Sequence, residues 1–247
     1  MNFQGVSDKA GRPGNNLLRH LSEGDYALIA SDIEITWLAP DEILYNPGDQ
    51  VEAVYFPCEN SVACFVLAMD DGRELQVELI GREGALGGVV SGGRLPAFSR
   101  MTVRFGGPFA RLPAARLEAA RNKSPALANI FDRYADCLLA QILQGSACNA
   151  AHSIEQRAAK WILTTMGRTQ RDVVPLSHEQ LSTMLGVGRS YTTRVLRKFV
   201  ADGVLKTARG SVTVLDKAAL TQRSCNCNEY VVSHYSRVFK GIYLDPI

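Results

Sequence analysis

Between Trp37 and Leu112 short apolar runs alternate with turn chemistry, which is the texture of β-structure. Residues 43–45, 53–56, 62–67, 75–80 and 102–105 are rich in Val, Phe, Tyr and Leu, types that suit a pleated, half-buried surface. The turns between them are explicit: Asn46-Pro47-Gly48-Asp49, Asp71-Gly72, Glu83-Gly84 and Gly106-Gly107-Pro108. Proline presets its own φ, and Asp-Gly between apolar runs is a strong hairpin signal. Many short strands at this spacing predict a β-sandwich or a rolled barrel. Ahead of them, Leu17, Leu18, Leu21, Tyr26 and Ile29 mark short helical pieces over residues 16–31.

The period changes at Pro113. An alanine- and arginine-rich stretch to Arg121 predicts a short helix, entered through a proline. Ser124-Pro125 then opens a longer one, with Ser124 as N-cap and Pro125 in the first turn. Leu127, Ile130, Phe131, Tyr134, Cys137, Leu138, Gln141, Ile142, Gly145 and Cys148 recur at three- and four-residue steps. They form one stripe on a helix of roughly 27 residues, about 40 Å long. It is either a buried spine or a seam with a second copy. Polar Gln141 and small Gly145 inside the stripe favour the second, a dimer helix using Leu127, Ile130, Phe131, Tyr134, Leu138, Gln141, Ile142 and Gly145. A further amphipathic helix over 154–166 places Ile154, Ala158, Trp161, Ile162 and Thr165 on one side, and Gly167 is expected to end it.

Residues 174–215 read VPLSHEQLSTMLGVGRSYTTRVLRKFVADGVLKTARGSVTVL. Ser177 with Gln180 is a capping box, so a helix begins there and buries Leu181 and Leu185. Gly186-Val187-Gly188 makes a tight turn, with Val187 as an apolar plug. A second helix then buries Val195, Leu196 and Phe199 and exposes Arg189, Ser190, Tyr191, Thr193 and Arg194. Two helices so joined are a helix-turn-helix, whose second helix can enter the major groove of B-DNA. Two β runs flanking Ala208-Arg209-Gly210 add a hairpin with a basic tip, a wing placed to touch phosphates.

Charge sharpens this division. The 247 residues carry a net +2, but the first 110 hold 8 Lys/Arg against 15 Asp/Glu, whereas residues 151–216 hold 10 against 5. Only the second half is expected to meet a polyanion. Hydrophobic residues make up 46% and charged residues 21%, values of an ordinary globular protein. No uninterrupted apolar run approaches the ~20 residues of a membrane-spanning helix, and the polar start of the chain lacks a signal-peptide core. A cytoplasmic location with reduced thiols is the simplest expectation for six irregularly spaced cysteines.

The motifs LYNPGD, VYF, DGRE and GREGALG, followed by the long helix and by LSHEQLSTMLGVGRSYTTRVLRKFVADGVL, resemble the cyclic AMP receptor/fumarate-nitrate regulator (Crp/Fnr) family of bacterial transcription factors. The resemblance spans residues 17–215 and implies an α+β fold: a cyclic-nucleotide-binding-like β-roll (double-stranded β-helix), a long dimerisation helix and a winged helix-turn-helix. Domains are placed at 1–15 (disordered tail), 16–112 (sensor β-roll), 113–150 (connecting and dimerisation helices), 151–216 (winged domain) and 217–247 (helical extension). It further implies a homodimer on double-stranded DNA, with RNA polymerase as a partner and effector control through the roll.

Carried over by position, Arg189 and Arg194 match the arginines that approach guanine edges. Ser190 replaces the usual glutamate, and Tyr191 and Thr193 contact bases or phosphates. Arg197, Lys198, Lys206 and Arg209 fall where phosphate ligands are expected. The effector pocket maps to Gly84, Ala85, Leu86, Gly87, Ser99, Arg100 and Met101. There Ala85 stands at the ribose-binding glutamate and Met101 at a needed hydroxyl. An unpaired sugar hydroxyl costs about 1–3 kcal/mol, so cyclic AMP is not the expected ligand and the effector is unknown.

Other chemistries are weaker. An N-terminal cysteine cluster for an iron-sulfur centre is missing, since none precedes Cys58. Cys225-Asn226-Cys227 with His234 downstream is an incomplete ligand set, so no metal or cofactor is expected and the pair reads as small residues in a C-terminal helix or cap. Dispersed His20, His152, His178 and His234 and the lack of nucleophile-elbow or Walker motifs argue against an enzyme. Tyr230, Val231, Tyr235, Val238, Phe239, Ile242 and Tyr243 predict an amphipathic extension that packs on the winged domain, covers it or meets a partner. The rival to a DNA reader is a ligand-binding or protein-interaction module whose winged domain no longer reads DNA.

Overall fold

The alternating runs close into two four-stranded sheets. In this computed structural model residues 11–89 and 95–242 are described. Two short helices, α1 (Asn16–Arg19) and α2 (Glu23–Ala27), precede β1 (Glu34–Leu38), β2 (Ile43–Tyr45), β3 (Ala53–Pro57), β4 (Val62–Ala68), β5 (Glu74–Ile80), β6 (Leu86–Gly87), β7 (Arg100–Phe105) and β8 (Gly107–Pro113). One sheet has the order β1-β8-β3-β6 and the other β2-β7-β4-β5. Leu38, Tyr45, Ala63, Ile80, Leu86, Met101, Val103 and Phe109 form one apolar cluster of this roll. The Tyr45 hydroxyl lies inside it, donating to the Ala53 carbonyl (3.0 Å) and accepting from the Ala53 N–H (2.8 Å). Burial raises its pKa above the usual tyrosine value.

Gly107-Pro108, expected within a turn, instead open β8 and pair with Trp37 and Leu38. The Pro108 carbonyl takes bonds from the Cys58 N–H (3.0 Å) and the Ser61 hydroxyl (2.8 Å), which tie the start of β8 to the turn after β3. The tail expected to be disordered over 1–15 falls partly outside the described residues. From Gly11 onward it is tied down: Arg12 is 4% exposed and bonds the Leu21 carbonyl, and Asn15 caps α1 through the Leu17 N–H.

After β8 come α3 (Ala114–Lys123), α4 (Pro125–Ala151) and α5 (Ile154–Thr169). Ser124 caps α4 through the Leu127 N–H at 3.1 Å, as its sequence predicts. Gly167, expected to end α5, is passed, and the helix closes on Gln170 in the left-handed region (φ 52°). The chain then forms β9 (Val173–Val174), α6 (His178–Leu185), α7 (Arg189–Ala201), β10 (Leu205–Ala208), β11 (Ser211–Val214), α8 (Lys217–Arg223) and α9 (Cys227–Val238). Two compact units result, one of residues up to 65, 79–139 and from 235 on, the other of 66–78 and 140–234.

The stripe assigned to a dimer seam on α4 is consumed by the chain's own packing. Leu127, Phe131 and Tyr134 have no exposed surface, and Ile130 retains 8%. Phe131 meets Phe56 edge-on at 6.2 Å, the Tyr134 hydroxyl donates to the Ala85 carbonyl (2.7 Å), and Leu138 packs on the roll's apolar cluster. Gln141 donates to the Glu78 carboxylate (2.8 Å), and a Cβ on Gly145 would lie 2.6 Å from that carboxylate. Leu127, Ile130, Phe131, Tyr134 and Gln141 are therefore internal, and Leu138 and Gly145 are half-buried. Ile142 alone of the predicted set stays on the exposed side, beside Leu139 and Leu143, at 39%, 55% and 61% exposure.

Candidate nucleic-acid interface

The helix-turn-helix is built by local chemistry that the sequence announces. The Ser177 hydroxyl accepts from the Gln180 N–H (3.1 Å), and the Gln180 side-chain oxygen accepts from the Ser177 N–H (2.9 Å), completing the capping box. Leu181, Met184 and Leu185 bury one face of α6. Gly186 then adopts φ +66°, a left-handed cap that a side chain would strain, and its N–H returns to the Ser182 carbonyl. On α7 the buried residues are Thr192, Leu196 and Phe199, at helical spacing. Val195, expected to be buried, is only half-buried.

That inward face turns the opposite side of α7 to solvent. Arg189, Ser190, Tyr191, Arg194, Arg197 and Lys198 are all exposed. Arg189 has 70% of its side chain accessible, and its nearest carboxylate, Glu179, is 3.9 Å away and itself 66% exposed. A solvent-screened pair of that kind contributes about 0–1 kcal/mol, so it yields readily to a better anion. The Arg194 guanidinium lies 5.0 Å from the centre of the Tyr191 ring, a cation–π contact that orients it without neutralising it.

Two predicted contacts are already partly engaged. Lys198 pairs with Glu155 at 2.7 Å. The Thr193 hydroxyl shares a 3.0 Å hydrogen bond with His178 Nδ1. The histidine stands in the first turn of α6, and its pKa falls below the usual value because of burial first and the nearby Arg189 and Arg197 charges next. Nothing in the sequence pattern marks His178 as a neighbour of α7, since only the fold brings residue 178 to residue 193.

Behind the helices, β10 and β11 pair as the predicted hairpin, and β9 adds a third strand to give the order β10-β11-β9. Val204, Leu205 and Val212 bury the hairpin's inner face, while Lys206 and Arg209 stay exposed on the wing. Arg157, unforeseen as a buried residue, donates from α5 to the Leu185 carbonyl at the end of α6 (2.8 Å).

The effector-pocket residues lie on the roll. Leu86 and Met101 belong to its apolar cluster, with Met101 opposite Tyr45 across the β2–β7 ladder. Ala85 is 1% exposed with its carbonyl bonded to Tyr134, and Gly84 abuts the same ring. Gly87 takes φ +98° against the Ala53 carbonyl, where a side chain would collide. Ser99 is buried and Arg100 half-buried at the start of β7.

An exposed basic helix held by a helix-turn-helix, with a basic wing and a β-roll in the same chain, defines the class: a winged helix-turn-helix protein with an N-terminal β-roll. Residues 156–223 match the family model of the Crp-like helix-turn-helix domain. Solved structures agree on the fold. A Crp/Fnr-family regulator from Eubacterium rectale superposes with a TM-score of 0.65 at 18% identity, covering 83% of this chain and 96% of the other. A CRP-family regulator from Thermus thermophilus gives 0.66 at 18% identity, covering 76% and 96%. The c-di-GMP responsive global regulator CLP of Xanthomonas campestris gives 0.66 at 17% identity, covering 79% and 100%. No curated protein sequence matches. The chain carries a Crp-like helix-turn-helix domain and has the fold of the Crp/Fnr transcription regulators. No helix among the described residues is long and apolar enough to cross a membrane.

Proposed function

We propose that this protein is a homodimeric bacterial transcription regulator that reads double-stranded DNA through α7. The exposed, weakly paired arginine face of that helix carries the reading. An α-helix is about 10–12 Å across with its side chains, matching a major groove about 12 Å wide. Arg189 and Arg194 reach base edges, with Ser190 and Tyr191 beside them. Arg197, Lys206 and Arg209 bind phosphates, which fixes register and gives affinity without sequence information. Lys198 joins them only by leaving Glu155.

Two copies pair along the exposed side of α4, through Leu139, Ile142 and Leu143 rather than the internal stripe. Their recognition helices then enter major grooves about 34 Å apart on a near-palindromic site. At a promoter the dimer meets RNA polymerase, and the protein has no catalytic role. The roll does not take cyclic AMP, because Ala85 and Met101 stand where its ribose and phosphate need polar partners. An effector of other chemistry acts by favouring one dimer geometry, which needs a few kcal/mol of differential binding.

Selection of genomic fragments on the purified protein tests this reading. An enriched two-fold symmetric motif supports it, and retention of fragments without any shared motif overturns it. Calorimetry with cyclic AMP is expected to show no binding.

A further inference from the structure

Two pairs of side chains, far apart from each other in sequence, converge in the second unit. Cys148 lies in the last turn of α4 and His152 follows it by four residues, just past the helix end. Cys225 and Cys227 bracket Asn226 at the start of α9. Their ligand atoms, three Sγ and one imidazole nitrogen, all lie within 4.8 Å of one another. Cys148 Sγ is 3.6 Å from Cys225 Sγ, and Cys227 Sγ is 3.5 Å from His152 Nδ1. The three thiols are at most 7% exposed and are free cysteines.

We propose that Cys148, His152, Cys225 and Cys227 form a structural zinc site. The distances themselves point to a tetrahedral ion. With zinc–sulfur bonds of about 2.3 Å and zinc–nitrogen bonds of about 2.0–2.1 Å, tetrahedral edges come to about 3.8 Å for two sulfurs and about 3.5 Å for sulfur and nitrogen. The observed separations are already close to both. A disulfide would need about 2.05 Å. Three thiolates and a neutral imidazole make a closed, four-protein-ligand set with no place for water, which is the structural rather than the catalytic kind.

The surroundings suit the charge such a centre carries. Zinc with three thiolates is a monoanion. Arg157, only 7% exposed, has Nε without a hydrogen-bond partner, and its charge is felt at both Cys148 and Cys225. The Lys160 charge likewise acts on Cys148. The Gln144 side-chain amide donates to Cys227 Sγ at 3.2 Å, the outer-shell N–H···S bond that steadies a coordinating thiolate. Thr164 and Asn228 share a 3.1 Å bond that holds the start of α9 to α5. The ion would staple α9, beyond the matched domain, to the α4–α5 junction. From there the buried Arg157 reaches the Leu185 carbonyl of α6. Sequence spacing alone paired Cys225 and Cys227 with His234 and so hid the set.

The test is metal analysis of the full-length protein, purified with its affinity tag removed. About one zinc per chain is expected, together with a fall in melting temperature on chelation. The metal-free protein titrated with Co2+ should develop tetrahedral ligand-field bands and thiolate-to-cobalt charge-transfer absorption, saturating at one ion per chain. Cys225→Ser should lose the metal, while His152→Cys should retain it with a spectrum shifted to four-sulfur coordination. The cobalt titration uses the unaltered protein, so it reads the site even if a variant fails to fold. Substoichiometric zinc with no cobalt spectrum, octahedral cobalt bands, or a Cys148–Cys225 disulfide in the protein as isolated would each overturn the proposal.

Discussion

Single residues decide whether the interface is available. His178 is the most direct reporter, because it touches Thr193 and feels Arg189 and Arg197. Its titration by NMR should have a midpoint below the ordinary 6.5, and Arg197→Ala should move it back up. With the folded pKa below the unfolded one, the neutral ring is favoured in the folded state. Its contribution to stability is thus complete above the unfolded pKa and is lost as pH falls from there through the lower folded value. A midpoint above 6.5 would contradict the burial of His178 beside the two arginines. In the roll, a Cβ at Gly84 would come 2.5 Å from the Tyr134 hydroxyl. Gly84→Ala should destabilise by about 1–3 kcal/mol through overpacking, measured by denaturant unfolding, and an unchanged midpoint would show that Tyr134 moves freely.

At the scale of elements, α4 shows what periodicity can and cannot say. Its cap, length and stripe are legible because they depend on local chemistry: Ser124, Pro125 and the three-four spacing. The partner of the stripe is not, since a roll wall and a second copy present the same apolar face to the same pattern. Leu127 and Phe131 face their own chain, whereas Leu139 and Leu143 lie off the stripe, on the exposed side. Phe131→Ala should therefore cost about 3–5 kcal/mol of folding stability. Leu143→Glu should leave folding nearly unchanged and convert dimer to monomer in sedimentation velocity; a dimer that persists would move the interface elsewhere. The helix-turn-helix was legible almost whole, through the Ser177–Gln180 box and Gly186. What stayed hidden there needed tertiary contact, namely the third strand β9, the His178–Thr193 bond and the burial of Arg157.

For the whole molecule the governing quantity is charge distribution. The first 110 residues are net acidic and residues 151–216 net basic, which favours approach of a polyanion to the winged domain over the roll. With the three phosphate ligands proposed per protomer, about six in the proposed dimer, affinity should fall by about 10³ between 50 and 200 mM salt. The measurement that bears most directly on the α7 reading is a salt titration of binding to the enriched operator and to a shuffled duplex. It compares the unaltered protein with Arg189→Ala and Lys206→Ala. Arg189→Ala should lose about 1–3 kcal/mol on the operator only and keep its salt slope. Lys206→Ala should weaken both duplexes alike and flatten the slope by about two for the dimer. Equal losses on operator and shuffled DNA for both variants, or binding insensitive to salt, would contradict a base-reading α7.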